Sequence, residues 1–323
     1  MLKNTQNESS NKDNLKSLVK SQISKIEQII KEALLLSSGK EDYTEELSTE
    51  SESNWKSCKN ERLIPILETI GNQDELLTNK EWHQLPVQKL IPSIDNFPQQ
   101  EITEVPNYSN LWKEFKSEFT SLTHSTYQTF SDNLLTLLYK YTSFIPSNIT
   151  HSPDISLYDH IKTTTALAIC LYDLMCSGEK PKDRFLLIGA DLSGIQSYIY
   201  QIVSKHAGKN LKGRSFYIRV LSDAVVRYLM KRLGLFQANI IYNSGGGFYL
   251  LAPNTTDIKH KLKTAIEEIE RRIFTTHGTS LYVAIDSITV SDDALLHRNE
   301  EDIGSIYKKR STKKSKICNN DGR

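Results

Sequence analysis

FLLIGADL, residues 185–192, is the stretch that decides the fold, because of the order of the elements that follow it. Residues 193–234 have helical periodicity, and ANIIYNSGGGFYLLAP, residues 238–253, contains two β-rich runs around three glycines. A helix capped by Thr255 or Thr256 comes next, and SLYVAIDSITV, residues 280–290, has the composition of a strand. The sequence therefore predicts an α+β domain with the order βαββαβ.

The N-terminal half is predicted to be mainly helical. Apolar residues at helical spacing predict a helix over 18–36, a helix or helical hairpin over 111–143, and a helix over 163–175. Residues 40–60 are acidic, rich in serine and poor in apolar side chains, which predicts a loop. Five prolines in residues 61–110 favour short strands or extended connections.

Charge and cysteine content restrict the function classes. Lys plus Arg is 40 and Asp plus Glu is 39, so the formal net charge of +1 creates no global field for a polyanion, and any nucleic-acid contact must be local. No run approaches the length of a membrane span. The four cysteines, Cys58, Cys170, Cys176 and Cys318, are too widely spaced for a complete zinc site. We expect a cytoplasmic protein that is not bound to a membrane.

The order βαββαβ is shared by ferredoxin-like domains and by the palms of polymerases and nucleotide cyclases. A catalytic palm has one carboxylate at the end of its first strand and more at the tip of its central hairpin, where they hold two metal ions. Asp191 fills the first position, but the hairpin tip reads Ser244-Gly245-Gly246-Gly247 and has no acid. We therefore predict no catalytic residue and no complete metal site here.

The glycines and the turn after the first strand each allow two interpretations. Gly245, Gly246 and Gly247 either bring backbone N–H groups close to a phosphate or base, or only form a tight hairpin turn. Ser193 and Gly194 begin the next helix, where Ser193 either caps the helix or belongs to an anion site at its N-terminus.

A basic segment lies between Lys205 and Ser215, with four cations and two glycines. Lys209, Lys212 and Arg214 are suited to contacts with phosphate groups or an RNA backbone. A solvated basic loop without a ligand is the alternative, and the sequence does not decide between the two.

Several motifs together resemble the large subunit of type III CRISPR effector complexes, particularly its III-A form. They are GADLSGIQSYIY, KNLKGRSFYIRVL, NIIYNSGGGFYLLAPN and SLYDHIKTTTALA, all within about residues 155–290. In that family this stretch is the first palm domain. The catalytic Gly-Gly-Asp-Asp hairpin lies in a second palm, which makes cyclic oligoadenylate from ATP when target RNA is bound.

The resemblance also implies a domain division. EALLLSSGKED, residues 32–42, resembles a segment near the end of the family's histidine-aspartate nuclease domain, with Leu34 in place of the usual Asp. In the family the His-Asp pair of the nuclease precedes this segment, and residues 1–31 contain no such pair. We expect residues 1–180 to be a partial, mainly helical remnant of that domain with linker helices, residues 181–295 the palm, and residues 296–323 a basic tail where the resemblance is cut short.

The resemblance implies half of a site for ATP with Mg²⁺. Asp191, Ser193, Gly194 and Gly245–Gly247 would surround the nucleotide. The expected partners are other type III subunits, the guide RNA complex, target RNA and a second polypeptide that carries the catalytic palm, and the chain alone should be inactive. Two alternatives remain: part of an intact single-stranded DNA nuclease and cyclic oligoadenylate synthetase, or a scaffold that binds no nucleotide.

Overall fold

The computed structural model describes residues 2–38, 61–70, 82–100, 102, 105–122, 126–147, 154–200 and 207–296. The loop predicted over 40–60 and the basic tail predicted over 296–323 lie outside these residues, apart from residue 296 itself. No helix in the described ranges is long and apolar enough to cross a membrane.

The structure contains both helices and strands and has the predicted fold class, α+β. The helices are α1 (Leu2–Ser38), α2 (Ile66–Ile70), α3 (Tyr108–Thr120), α4 (Tyr127–Thr142), α5 (Leu157–Ser177), α6 (Ile195–Tyr200), α7 (Ala207–Leu233), α8 (Thr256–His277) and α9 (Asp292–Leu296). The strands are β1 (Phe185–Ser193), β2 (Ile240–Ser244), β3 (Gly247–Pro253) and β4 (Tyr282–Val290). Short 3₁₀ helices cover Ile94–Asn96 and Gln237–Asn239.

The four strands form one antiparallel sheet in the order β2-β3-β1-β4. β1 and β3 lie at its centre, so their apolar side chains are buried, while β2 and β4 are its edges. The glycines between β2 and β3 form the predicted hairpin. Because β3 runs antiparallel to β1, the hairpin tip lies at the C-terminal end of β1.

Helices α7 and α8 cover one face of this sheet. Alternate residues of the strands point toward them and form the main core, which includes Leu186, Ile188, Phe248, Leu250 and Ile285. Thr255 is the N-cap of α8, since its Oγ1 accepts a hydrogen bond from the Ile258 backbone N–H at 3.2 Å. One of the two caps predicted from the sequence is thus confirmed.

Helices α1 and α5 pack against the opposite face. Their buried residues, among them Leu36 and Leu167, meet Phe185 of β1 and Leu251 of β3. Both helices are longer than the predicted ranges of 18–36 and 163–175. The extra turn at the start of α5 follows from Ser156, whose Oγ accepts the Asp159 backbone N–H at 3.0 Å.

A helical hairpin of α3 and α4 confirms the expectation for residues 111–143. Glu118 of α3 accepts hydrogen bonds from Lys140 Nζ at 2.6 Å and from the Tyr141 hydroxyl at 2.7 Å, which ties the two helices together. The described part of residues 61–110 contains no strand of regular length and mostly lacks regular secondary structure. Gln84 and Gln99 form an isolated bridge there, and α2 is a helix where none was predicted.

Candidate functional site

The face of the sheet opposite α7 and α8 is covered unevenly. Close to Phe185 and Leu251 the helices α1 and α5 bury it. Toward the hairpin the residues on this face are only half-buried. We call this region the open end of the sheet; its residues are Asp191, Gly247, Tyr249, Ala284 and Asp286.

Asp191 lies at the centre of the open end. On one side it pairs with Gly247, the first residue of β3, and on the other with Ala284 of β4. The next residue of β1, Leu192, donates its backbone N–H to the Gly246 carbonyl at 2.9 Å, so the hairpin tip rests against the end of β1. The structure therefore brings Asp191 together with the predicted hairpin glycines.

Two of the predicted site glycines are required by packing. Gly246 has φ +86°, and a Cβ there would lie 2.6 Å from Ile195 Cδ1 and 3.3 Å from Leu192 Cβ. Gly194 has φ +83°, and a Cβ would lie 2.2 Å from the Ser280 carbonyl oxygen. L residues rarely adopt this left-handed region, so both positions need glycine with or without a ligand. Gly245, with φ +63°, has no atom within 4 Å of such a Cβ.

The prediction that Ser193 caps the following helix is wrong. Ser193 is the last residue of β1, where it pairs with Tyr282, and its Oγ is buried without a hydrogen-bond partner among the described residues. The turn is instead closed by the backbone, since Tyr198 donates its N–H to the Gly194 carbonyl at 2.9 Å. Because β1 continues through Ser193, its hydroxyl cannot reach the N–H groups that a capping residue serves.

The basic segment is not a loop from residue 207 onward, because Ala207 begins α7. Lys209 and Lys212 are exposed on the first turns of this helix. Arg214 is half-buried, donates a hydrogen bond to the Tyr198 carbonyl, and places its guanidinium 5.0 Å from the centroid of the Tyr198 ring. Arg214 thus connects α7 to α6, while Lys205 and His206 lie outside the described residues.

Aromatic side chains stabilise the same end of the domain. Tyr217 of α7 shares a hydrogen bond of 2.8 Å with His277 Nε2 at the end of α8. The Tyr198 ring lies 5.8 Å from the Tyr217 ring and 5.9 Å from the His277 ring. Burial, followed by the nearby Tyr198, raises the pKa of the Tyr217 phenol. These contacts hold α6, α7 and α8 together behind the open end.

Sequence reasoning missed a tyrosine that lies across the sheet. Tyr249 pairs with Gly189, and a Cβ at Gly189 would approach the Tyr249 ring atoms Cε1 and Cδ1 to 3.0 and 3.3 Å. The ring therefore lies directly over the backbone of β1. Tyr242 of β2 places its ring centroid 6.3 Å from that of Tyr249. A glycine inside a strand can indicate that another group packs closely against the strand backbone. Gly189 was therefore the sequence signal that could have pointed to Tyr249.

A second carboxylate, Asp286, was also missed. It pairs with Gly189, two residues from Asp191 along β1, and it lies on the same face because Val283 and Ile285 point into the core. Asp286 Oδ1 accepts the backbone N–H of Ser287 at 2.9 Å. Within the described ranges, no group of three or more His, Cys, Asp or Glu side chains is arranged to hold a metal ion.

The cysteines are separated in the described part of the chain. Cys170 is buried in α5, where burial raises the pKa of its thiol, and Cys176 is exposed. Cys58 and Cys318 lie outside the described residues, so the expectation of no complete zinc site stays a prediction.

Comparison with known proteins finds that the chain is similar to one family. Residues 184–320 match the family model described as Csm1 subunit domain B. The Cas10/Csm1 protein of Thermococcus onnurineus, named as a CRISPR single-strand-specific deoxyribonuclease of subtype III-A, is 32% identical over 220 residues. The match covers 65% of this chain but only 27% of that protein, so the chain spans about a quarter of its length.

Solved structures of Csm1–Csm4 complexes contain a similar fold. A Csm1–Csm4 cassette in complex with cA4 superposes with a TM-score of 0.67 at 24% identity, covering 88% of this chain and 37% of the other. A Csm1–Csm4 cassette in complex with one ATP gives a TM-score of 0.62 at 26% identity, covering 82% and 33%. Residues 184–320 are thus similar to Csm1 subunit domain B, and the chain has Cas10/Csm1 homologues of subtype III-A at 32% identity over part of their length.

Proposed function

We propose that residues 181–295 are a palm domain of ferredoxin-like topology and that its open end is half of a binding site for ATP with Mg²⁺. The observation that carries the proposal is the placement of Asp191, which lies half-buried at the end of β1 beside the glycine hairpin. This arrangement presents one carboxylate to a metal ion and the backbone of the hairpin tip to a phosphate or base. A related Csm1–Csm4 structure contains one ATP, which supports this ligand.

The composition of the hairpin tip supports a half-site. Its tip, Ser244 to Gly247, carries no acid that would complete a two-metal site with Asp191. Asp286 adds a carboxylate on the same face, but it lies one strand away from the hairpin, on β4. We therefore infer that a second palm, on another polypeptide or elsewhere in a longer chain, supplies the catalytic acids, and that the isolated chain makes no cyclic oligoadenylate.

Partners follow from the same inference. The related structures are complexes of Csm1 with Csm4, so we propose that this chain assembles in the cytoplasm with other type III subunits around a guide RNA and its target. Residues 1–180 would be the remainder of a nuclease domain. The structure gives weaker support to the other predicted ligand contacts, which are Ser193, Gly194, Lys209, Lys212 and Arg214. Gly194 is required by packing, and Arg214 is engaged with Tyr198.

Isothermal titration of ATP with Mg²⁺ into the full chain tests the proposal. Asp191→Asn keeps the shape of the side chain and removes its charge, so it should weaken binding by about 10-fold, or about 1.4 kcal/mol. Glu267→Gln removes one exposed charge from α8 and should leave the affinity unchanged. If ATP bound equally well to the Asp191→Asn variant, the nucleotide site would have to lie outside the open end. No binding at all would favour the scaffold alternative.

A further inference from the structure

The tip of the glycine hairpin is covered by the short helix α6. Gly245 and Gly246 are the two residues between β2 and β3, and both have a positive φ, which is the conformation of a tight two-residue turn. Gly245 is exposed, but Gly246 is buried. A Cβ on Gly246 would lie 2.6 Å from Ile195 Cδ1, so the end of the Ile195 side chain packs onto the Gly246 backbone.

The tip is also bound to the strand that carries Asp191. Leu192, the next residue of β1, donates its backbone N–H to the Gly246 carbonyl at 2.9 Å. This hydrogen bond exists only while the tip lies against β1. The Leu192 amide therefore reports on the docked position of the tip, and Leu192 takes no part in the proposed ligand contacts.

Helix α6 is too short to hold the tip without help from the rest of the domain. It has six residues, and isolated helices of that length are unstable in water. Its first turn is closed by the Tyr198 N–H, which donates to the Gly194 carbonyl at 2.9 Å. Ile195, Tyr198 and Ile199 pack against the main core, so the helix stays in place through tertiary contacts.

Arg214 of α7 supplies the polar part of these contacts. Its Nη1 donates a hydrogen bond to the Tyr198 carbonyl, and its guanidinium lies 5.0 Å from the centroid of the Tyr198 ring. The Tyr198 carbonyl is one of the last four of α6, which have no N–H partner within the helix. Removal of the guanidinium would take away both the hydrogen bond and the ring contact, and would loosen the end of α6.

Arg214, Tyr198 and Ile195 thus form a chain of contacts that ends at the hairpin tip. Tyr198 follows Ile195 by three residues, so both side chains leave α6 on the same side, toward the core. The Tyr198 ring also lies 5.9 Å from the His277 ring of α8. These contacts join α7 and α8 to Gly246, although Arg214 itself is not part of the open end.

We propose that Arg214 and Ile195 are positioning residues for the nucleotide half-site: Arg214 fixes α6, and Ile195 holds the hairpin tip where its backbone faces the ligand. In this role neither side chain touches the nucleotide. Arg214 would then act through α6 and not as the phosphate contact predicted from the basic segment. The identity of the ligand rests on the proposed function, but the support of the tip by α6 can be tested without a ligand.

Amide hydrogen exchange of the full chain, resolved by NMR, measures this support at the Leu192 amide. Ile195→Val removes only the Cδ1 methyl that packs onto Gly246, and Arg214→Gln removes the guanidinium. Each variant should speed exchange of the Leu192 amide by about fivefold, because the docked tip loses a contact that its open state does not make. Arg214→Lys keeps a charged donor for the Tyr198 carbonyl and should exchange more slowly than Arg214→Gln.

The matched controls alter the same chemical groups elsewhere. Ile266→Val removes the same methyl from a half-buried residue of α8 on the same core, and Arg227→Gln removes a guanidinium from an exposed position on α7. Both should leave the exchange rate of the Leu192 amide within about twofold of wild type. A role of Ile195 in overall stability alone would give equal rates in Ile195→Val and Ile266→Val, and that result would overturn the proposal.

A parallel series with saturating ATP and Mg²⁺ separates this proposal from the proposed function. In wild type the ligand should slow exchange of the Leu192 amide, because binding to the docked tip stabilises that state. If Ile195→Val and Arg214→Gln speed exchange but ATP does not slow it, α6 supports the tip and the nucleotide half-site is wrong. If ATP slows exchange but the two variants match their controls, the half-site stands and the positioning role is refuted.

Discussion

Replacement of Gly194 by alanine should destabilise the domain severely without removing any polar group. Gly194 has φ +83°, and the added Cβ would lie 2.2 Å from the Ser280 carbonyl oxygen. The left-handed conformation alone costs about 1–2 kcal/mol for an L residue. The clash is with backbone, which no side-chain rotation relieves, and overpacking of this kind costs about 1–3 kcal/mol more.

The expected total is about 3 kcal/mol of unfolding free energy, measured by urea denaturation followed by far-UV circular dichroism. Gly245→Ala is the control. Its φ is +63°, yet no atom lies within 4 Å of the new Cβ, so only the conformational cost of about 1 kcal/mol remains. If both variants lost the same stability, the contact between Gly194 and Ser280 would not be the reason for a glycine at this position.

Two further predictions concern buried and paired polar groups. Asn239→Ala should cost about 2–3 kcal/mol of unfolding free energy, because the fully buried Asn239 amide donates to the Leu251 carbonyl at 2.9 Å and accepts the Phe236 N–H at 3.1 Å. Asn239→Asp, which keeps the acceptor, should retain the second of these bonds. Lys140 and then Tyr141 lower the pKa of Glu118 from 4.5, so its stabilising effect is complete above that value and is lost as the pH falls through the lowered pKa. The stability difference between wild type and Glu118→Gln should therefore shrink on acidification, and a constant difference would show that the charge of Glu118 is not what stabilises the hairpin.

The order of strands and helices could be read from the sequence because each element carries its own periodic signal. FLLIGADL and SLYVAIDSITV are apolar runs of strand length, and the glycines after Ser244 separate two β-rich runs. The boundaries were less predictable where tertiary contacts decide them. α1 extends well before residue 18, and α5 begins at Leu157 because Ser156 caps it.

The site was only partly predictable for the same reason. Asp191 lies in the motif GADLSGIQSYIY and the hairpin glycines lie in NIIYNSGGGFYLLAPN, so each could be identified from its local sequence. Tyr249 and Asp286 lie beside Gly189 only through the pairing of β1 with β3 and β4. The sequence between Gly189 and Asp286 contains the helices α6, α7 and α8 and the β2–β3 hairpin, and no local pattern shows which strand will be a neighbour. Ser193 was misjudged because the extent of β1 depends on its pairing with Tyr282.

The glycines of the candidate site divide into two kinds, and this division narrows the proposed nucleotide contacts. Gly194 and Gly246 are surrounded by Ser280, Leu192 and Ile195, so their lack of a side chain is needed by the fold itself. A glycine that packing already explains gives no independent support for a ligand. Gly245 is under no such steric demand, and Gly247 pairs with Asp191 at the open end. A phosphate or base that approaches the hairpin should therefore be tested first at Gly245, where no atom lies within 4 Å of an added Cβ. Asp191 and Gly247 come next, because they pair with each other at the open end.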